Sequence, residues 1–285
     1  MKTWMKLAPA QTELLPTGAA RLPSPWAHAA HKPLFIAFLA VFAILWMAAL
    51  LGISFSDDWR WVDGLFWLLA AATSVVGLAR RLPEQNVFTS VFLIGGLALV
   101  IGVIGDKTGV PFGPRVYADA FGAKLFGVPF PVPVMWIVII VSCRGVARLI
   151  MRPWRKTTYY GFWVIGLASV LSVLFDAGFE PFATRVKHYW FWETYGNVLN
   201  WYSTPWANFL GWFAVTLGII GFTTPWLINK QPVKQPNDYH PLALWLLLNV
   251  YLATGNALQG LWLAVAICIA GNAIALIYAV RGARW

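Results

Sequence analysis

The sequence predicts an all-α fold, a polytopic membrane helical bundle with about eight (seven to eight) transmembrane helices. Three observations predict it. Of 285 residues 59% are apolar and only 11% charged, far too little polar surface for a water-soluble domain of this size. The apolar residues fall into eight runs, most of them long enough to bridge a hydrocarbon core of about 30 Å at a rise of about 1.5 Å per residue. The period-2 alternation of a membrane β-barrel is absent, and a helix is the other element that satisfies its own backbone in lipid.

With charges and prolines as stops, the runs cover residues 33–55, 61–79, 87–105, 132–150, 159–179, 205–228, 241–254 and 257–280. The seventh is short and borders the polar pair Gly255-Asn256, which leaves seven or eight crossings. Residues 1–32 read as a polar, Pro-containing cytoplasmic tail and 33–285 as the transmembrane domain. The first run, spanning-length and preceded by that tail, reads as a retained anchor helix and not a cleaved signal peptide.

The formal net charge of +10 takes its meaning from its position. With the N-terminus inside, cytoplasmic segments hold 14 Lys and Arg and the opposite loops hold 6, with Arg144 inside the fourth run. This is the positive-inside pattern, which places both termini in the cytoplasm of a cell's inner membrane and makes the lipid bilayer, not nucleic acid, the partner. Arg144 should face the bundle and meet a helix carbonyl or a carboxylate. Cys143 and Cys268 lie within apolar runs without metal-ligand spacing and read as small core residues. No metal or organic cofactor is expected.

Two segments are richer in Pro, Gly and aromatic residues than a connector requires: 105–136 and 176–212. They follow the third and fifth runs, so parity puts them on one side of the membrane. Pro111, Pro114, Pro129, Pro131 and Pro133 should make the first a rigid, largely non-helical lid, with Pro111-Phe112-Gly113 packed over the site. Asp106 ends the third run. Asp176 and Glu180 end the fifth, four residues apart and thus on one helical face. Carboxyls near hydrocarbon mark a functional site, and two such neighbours in a partly dry place repel as anions, which raises the pKa of at least one and lets a neutral carboxyl serve as a proton donor. Pairing with Lys107, Arg185 or Lys187 at the headgroups is the structural alternative. Trp190, Trp192, Trp201, Trp206 and Trp212 either form an interfacial belt or line an apolar slot whose ring faces stabilise a cation. His188 is expected at the wet rim.

At these residues the chain resembles the membrane-bound carotenoid biosynthesis proteins, a family that includes bisanhydrobacterioruberin hydratase and the γ-carotene 1',2'-hydratases of the CruF type. The resemblance rests on Thr108-Gly109, Pro111-Phe112-Gly113, Tyr117, Gly122, Gly127-Val128-Pro129, Pro133 and Trp136. It continues with Asp176, Glu180-Pro181, Trp190, Trp192, Tyr202, Pro205, Asn208-Phe209 and Gly211-Trp212. The family pattern has Glu where Asp106 stands, Asp where Glu180 stands and an aromatic residue where Arg115 stands.

The resemblance implies a carotenoid hydratase, a hydro-lyase that adds water across the terminal double bond of a linear, lipophilic carotenoid. Such an alkene is unactivated, so the route is protonation to a tertiary cation and capture of water. Asp176, Glu180 and Asp106 are the candidate acids. Trp190, Trp192 and Trp212 are the candidate wall, Asn208 and Tyr202 the candidate water holders, and Tyr117, Phe112, Pro111 and Gly113 further substrate contacts. Other prenyl-chain or carotenoid-modifying activity, carotenoid binding, and small-molecule transport are the competing readings. A retinal photoprotein needs a Lys within a helix, and all nine Lys lie in tails, loops or helix ends. A transporter of this kind would show broken helices related by symmetry, which the sequence lacks.

Overall fold

The computed structural model describes residues 25–53, 61–193, 199–228 and 237–285. Among them eight helices are long and apolar enough to cross a membrane. These are α1 (Pro25–Leu50), α2 (Trp61–Ala79), α3 (Glu84–Thr108), α4 (Pro131–Ile150), α5 (Tyr160–Pro181), α6 (Trp206–Leu227), α7 (His240–Leu258) and α8 (Trp262–Ala283). The seventh run is a full helix because it starts at His240 and continues through Gly255-Asn256. There the Asn256 side-chain amide donates to the Gly178 carbonyl of α5 at 2.8 Å, so the polar pair is paired inside the bundle and does not break the helix. Helix α1 begins eight residues before its apolar run and carries Pro33 inside it. Residues 1–24 of the expected tail lie outside the described residues.

Helix α4 is the hub, packed against α2, α3, α5, α7 and α8 and buried on nearly every face. The outward faces of the peripheral helices are apolar: Phe92 on α3 is 77% exposed and Leu210 on α6 is 74% exposed. Water would penalise such a surface and hydrocarbon does not, so the chain is a multi-pass membrane protein. Arg144, on α4, donates to the Leu227 carbonyl at 2.7 Å. That carbonyl belongs to the last turn of α6, where backbone acceptors lack helical partners, and the expectation of a helix carbonyl as its partner holds. Cys143 and Cys268 are free and buried, as expected of core residues.

Both long segments are more helical than expected. Helix α3 runs to Thr108, and α5 runs through Pro181 into a π-turn, Phe182–Val186, so the connectors proper are 109–130 and 187–205. They meet through an antiparallel ladder between β1 (Arg115–Tyr117) and β4 (Trp190–Trp192), in which Arg115 opposes Trp192 and Tyr117 opposes Trp190. The first connector also holds a hairpin of β2 (Lys124–Leu125) and β3 (Val128–Pro129). The second holds one of β5 (Asn200–Trp201) and β6 (Thr204–Pro205). Lys187 pins the start of β4 to the first turn of α2 by a 2.8 Å ion pair with Asp63. Thus Lys187 pairs with α2 and not with the acids of α5.

Candidate active site

The site grows from the last two turns of α5. Asp176 and Glu180 are both fully buried. Pro181 supplies no backbone N–H, so the carbonyl four residues before it, that of Ala177, loses its helical donor. The Trp201 indole fills that place with a 2.9 Å hydrogen bond, which seats the second connector against the helix beside the acids.

Five donor contacts converge on the two carboxyls. The Asn208 Nδ2, from the first turn of α6, donates to Asp176 Oδ2 at 2.6 Å and lies 3.3 Å from Glu180 Oε1. Glu180 Oε2 accepts from the Trp192 indole at 2.9 Å, the Trp190 indole at 3.2 Å and the Thr204 hydroxyl at 3.4 Å. Asp176 Oδ1 and Asn208 Oδ1 are buried without a partner. Of the four carboxyl oxygens, three therefore receive donors and one does not. Ionised, the pair would place two charges side by side out of water, at a cost of roughly several kcal/mol each. A proton retained on the undonated oxygen removes one of them.

Above the pair lies an aromatic cavity. Trp136 of α4 and Trp212 of α6 stack at 4.4 Å between centroids, and Phe179 packs edge-on to Trp190 at 5.6 Å and to Trp212 at 6.4 Å. Phe112, Tyr117 and Arg115 close it from the first connector. Asp176 and Glu180 do not themselves line it. Trp190 joins the two, because it lines the cavity and donates to Glu180. The cavity offers about 20 Å³ to the centre of a water molecule, room for a single water but not for a branched hydrocarbon end.

Small residues let the first connector in. A Cβ on Gly211 of α6 would fall 2.8 Å from the Pro111 carbonyl oxygen and 3.0 Å from the Phe112 ring, and one on Gly105 of α3 would fall 3.3 Å from that ring. Gly113 has φ +109°, and a Cβ there would lie 2.9 Å from Pro205 and 3.3 Å from Trp192. The motif residues Pro111, Phe112 and Gly113 are thus set against α6 and β4, and of the three Phe112 lines the cavity.

Most of the expected residues converge, with changed duties. Trp190 and Trp192 hold Glu180 by their N–H groups, but only Trp190 lines the cavity; Trp192, expected in its wall, does not. Asn208 binds the acids directly. Tyr202 stands apart: with Ser203 it forms the turn of the β5–β6 hairpin, both at positive φ as a two-residue hairpin of the primed type requires, and its ring lies under Arg185 at 5.5 Å. Asp106 is exposed at the end of α3, facing Gly127, and makes no hydrogen bond to the acid pair. His188 is exposed at the rim with its ring Nδ1 2.9 Å from the Thr184 carbonyl. Trp206 is half-exposed at the start of α6.

Four residues of the site were not among the candidates from sequence, and one of them, Trp136, entered only through the resemblance. Phe179 and Thr204 looked like helix and turn filler. Arg115 stood out only as a cation amid aromatics, and the structure cages it: its guanidinium carbon lies 4.9 Å from the Phe112 and Tyr117 ring centres, 5.7 Å from Trp190 and 5.8 Å from Trp192. Burial pushes the Tyr117 phenol above its usual range, against the opposing pull of Arg115, so it is a neutral hydroxyl. Among the described residues no group of three or more His, Cys, Asp and Glu side chains is arranged to hold a metal ion.

An aromatic cavity thus adjoins a buried, hydrogen-bonded carboxyl pair at one end of a bundle of membrane-spanning helices. The profile of the carotenoid biosynthesis protein family matches residues 62–275, a span that holds α2 from its second residue, α3 to α7, most of α8 and every residue of the site. The chain belongs to that family. No curated protein and no solved structure matches it.

Proposed function

We propose that this protein is a carotenoid hydratase of the cell's inner membrane, with both termini in the cytoplasm, which adds water to the terminal isoprenoid double bond of a linear carotenoid. The observation that carries this reading is the acid pair, Asp176 and Glu180, bridged by Asn208 beneath an aromatic cavity. An unactivated trisubstituted alkene needs a strong proton donor in a dry place, and a tertiary cation needs faces of electron density beside it.

In this mechanism Asp176 holds its proton on Oδ1, the oxygen to which no donor points, while Glu180 accepts its donors as the carboxylate. The isoprenoid end widens the cavity by parting Phe179 and Trp190, which brings the alkene to Asp176. Protonation of the CH carbon leaves the positive charge on the dimethyl-substituted carbon, beside the Trp136 and Trp212 faces. A water oxygen bonds to that carbon and its surplus proton returns to the carboxylate pair. The sum is alkene plus water to tertiary alcohol, with the acid restored. The substrate dissolves only in lipid, which accounts for a site carried by a membrane-spanning bundle.

The test is pigment analysis of a carotenoid-producing bacterial host with and without the gene. The expected result is a new pigment heavier by one water and carrying a tertiary hydroxyl. Unchanged pigments despite folded protein in the membrane, across hosts making different acyclic carotenoids, would overturn the reading.

A further inference from the structure

The cavity wall is hydrocarbon and aromatic except for two side chains of β1, Arg115 and Tyr117. They are two residues apart on one strand and hence on the same face of it. Arg115 Nε and Tyr117 Oη are both buried and neither has a partner at full hydrogen-bond geometry, although the guanidinium lies close enough to the phenol to pull on it. Buried polar atoms in folded proteins are almost always paired, and two orphans on one cavity wall call for a common partner. The free volume, about 20 Å³ for a water centre, exceeds the roughly 10–15 Å³ that one water needs.

We infer that Arg115 and Tyr117 form the water site of this cavity, holding the oxygen that becomes the hydroxyl of the product. The inference rests on the hydratase reading and adds two positioning residues to it. Arg115 is a donor only and keeps its charge, whereas the phenol both donates and accepts. A water between them therefore receives Nε–H and exchanges a hydrogen bond with Oη. The four rings around the guanidinium fix where Nε points.

The charge of Arg115 argues for this duty over contact with the alkene. A cation beside a developing carbocation is repelled, so the guanidinium serves the oxygen while the Trp136–Trp212 stack serves the carbon. When the water oxygen bonds to the cation, it carries an extra proton. The guanidinium disfavours that proton on the oxygen and so promotes its transfer to the nearby carboxylate pair, with no other reactant consumed.

Deuterium partitioning tests the proposal. The cation has two fates: capture by water, which gives the alcohol, or loss of a proton, which returns an alkene. In D2O the second fate leaves deuterium in recovered substrate. Tyr117→Phe deletes one oxygen atom, and Arg115→Met keeps the bulk within the aromatic cage. In both, hydration per folded molecule should fall on the order of 10-fold, the size of one lost hydrogen bond at a transition state. Deuterium exchange into recovered substrate should persist, so the ratio of exchange to hydration rises. Arg115→Lys, which keeps the charge without Nε, should behave as Arg115→Met.

Unchanged hydration in folded Tyr117→Phe and Arg115→Met would overturn the assignment. Equal loss of hydration and exchange in Tyr117→Phe would also overturn it, by placing the phenol in proton delivery. If wild-type protein neither hydrates nor exchanges deuterium into any acyclic carotenoid, the hydratase reading itself fails, a result distinct from both.

Discussion

The side-chain amide of Asn208 lies 2.6 Å from Asp176 and 3.3 Å from Glu180, so one nitrogen on α6 bridges both buried acids of α5. Substituting Asn208→Leu keeps the approximate volume and removes the donor. The folded protein should lose about 1–3 kcal/mol, the cost of stranding a buried polar partner, and turnover per folded molecule should fall with it. Thermal unfolding in detergent, alongside product formation, checks both. Wild-type stability and rate would leave the bridge without a role.

Trp201 supplies a contrasting case. Its indole replaces the backbone donor that Pro181 lacks, a structural duty next to the acids but not upon them. Trp201→Phe should lower thermal stability by about 1–3 kcal/mol while turnover per folded molecule stays near wild type. A folded, stable variant with lost turnover would move Trp201 into the chemistry.

At Gly113 the constraint is steric as well as conformational. With φ at +109° and Pro205 2.9 Å from any added Cβ, Gly113→Val must displace either β6 or the first connector. Membrane insertion should be retained, since the eight spans are untouched, but activity should drop and the connector should become more open to protease. Full activity would make this glycine an ordinary turn residue.

The eight spans were legible because lipid imposes a length and a composition that few sequences meet by accident. Their ends were less so: α1 starts at Pro25 and α5 ends at Pro181 and runs on into the π-turn Phe182–Val186, since a helix can run through polar residues that an apolar window excludes. The acid pair was legible from the i, i+4 spacing of Asp176 and Glu180. What held it was not, because Asn208, Trp192 and Thr204 reach Glu180 from 28, 12 and 24 residues away. No local pattern encodes that distance. Asp106, expected with the pair, makes no hydrogen bond to it. Ending a helix on the same side of the membrane does not fix where a side chain points, and Asp106 faces Gly127.

The pairing of Arg115 with Trp192 across β1 and β4 demands that both connectors share a side of the membrane, and in the orientation proposed from the charge split of 14 to 6 that side faces away from the cytoplasm. Reporter fusions after Arg81 and Arg155 should therefore read as cytoplasmic, and fusions at Lys124 as the opposite side. A cytoplasmic signal at Lys124 would invert the topology, and opposite signals from the two connectors would dismantle the site.

The central claim, that Asp176 donates the proton, is tested most directly by Asp176→Asn. The substitution keeps the shape and removes the transferable proton. Purified in detergent with an acyclic carotenoid, the variant should fold and retain pigment as wild type does. Formation of product heavier by one water should fall on the order of 10²-fold or more per folded molecule, with Glu180→Gln impaired less severely. Wild-type hydration rates in folded Asp176→Asn would contradict the account.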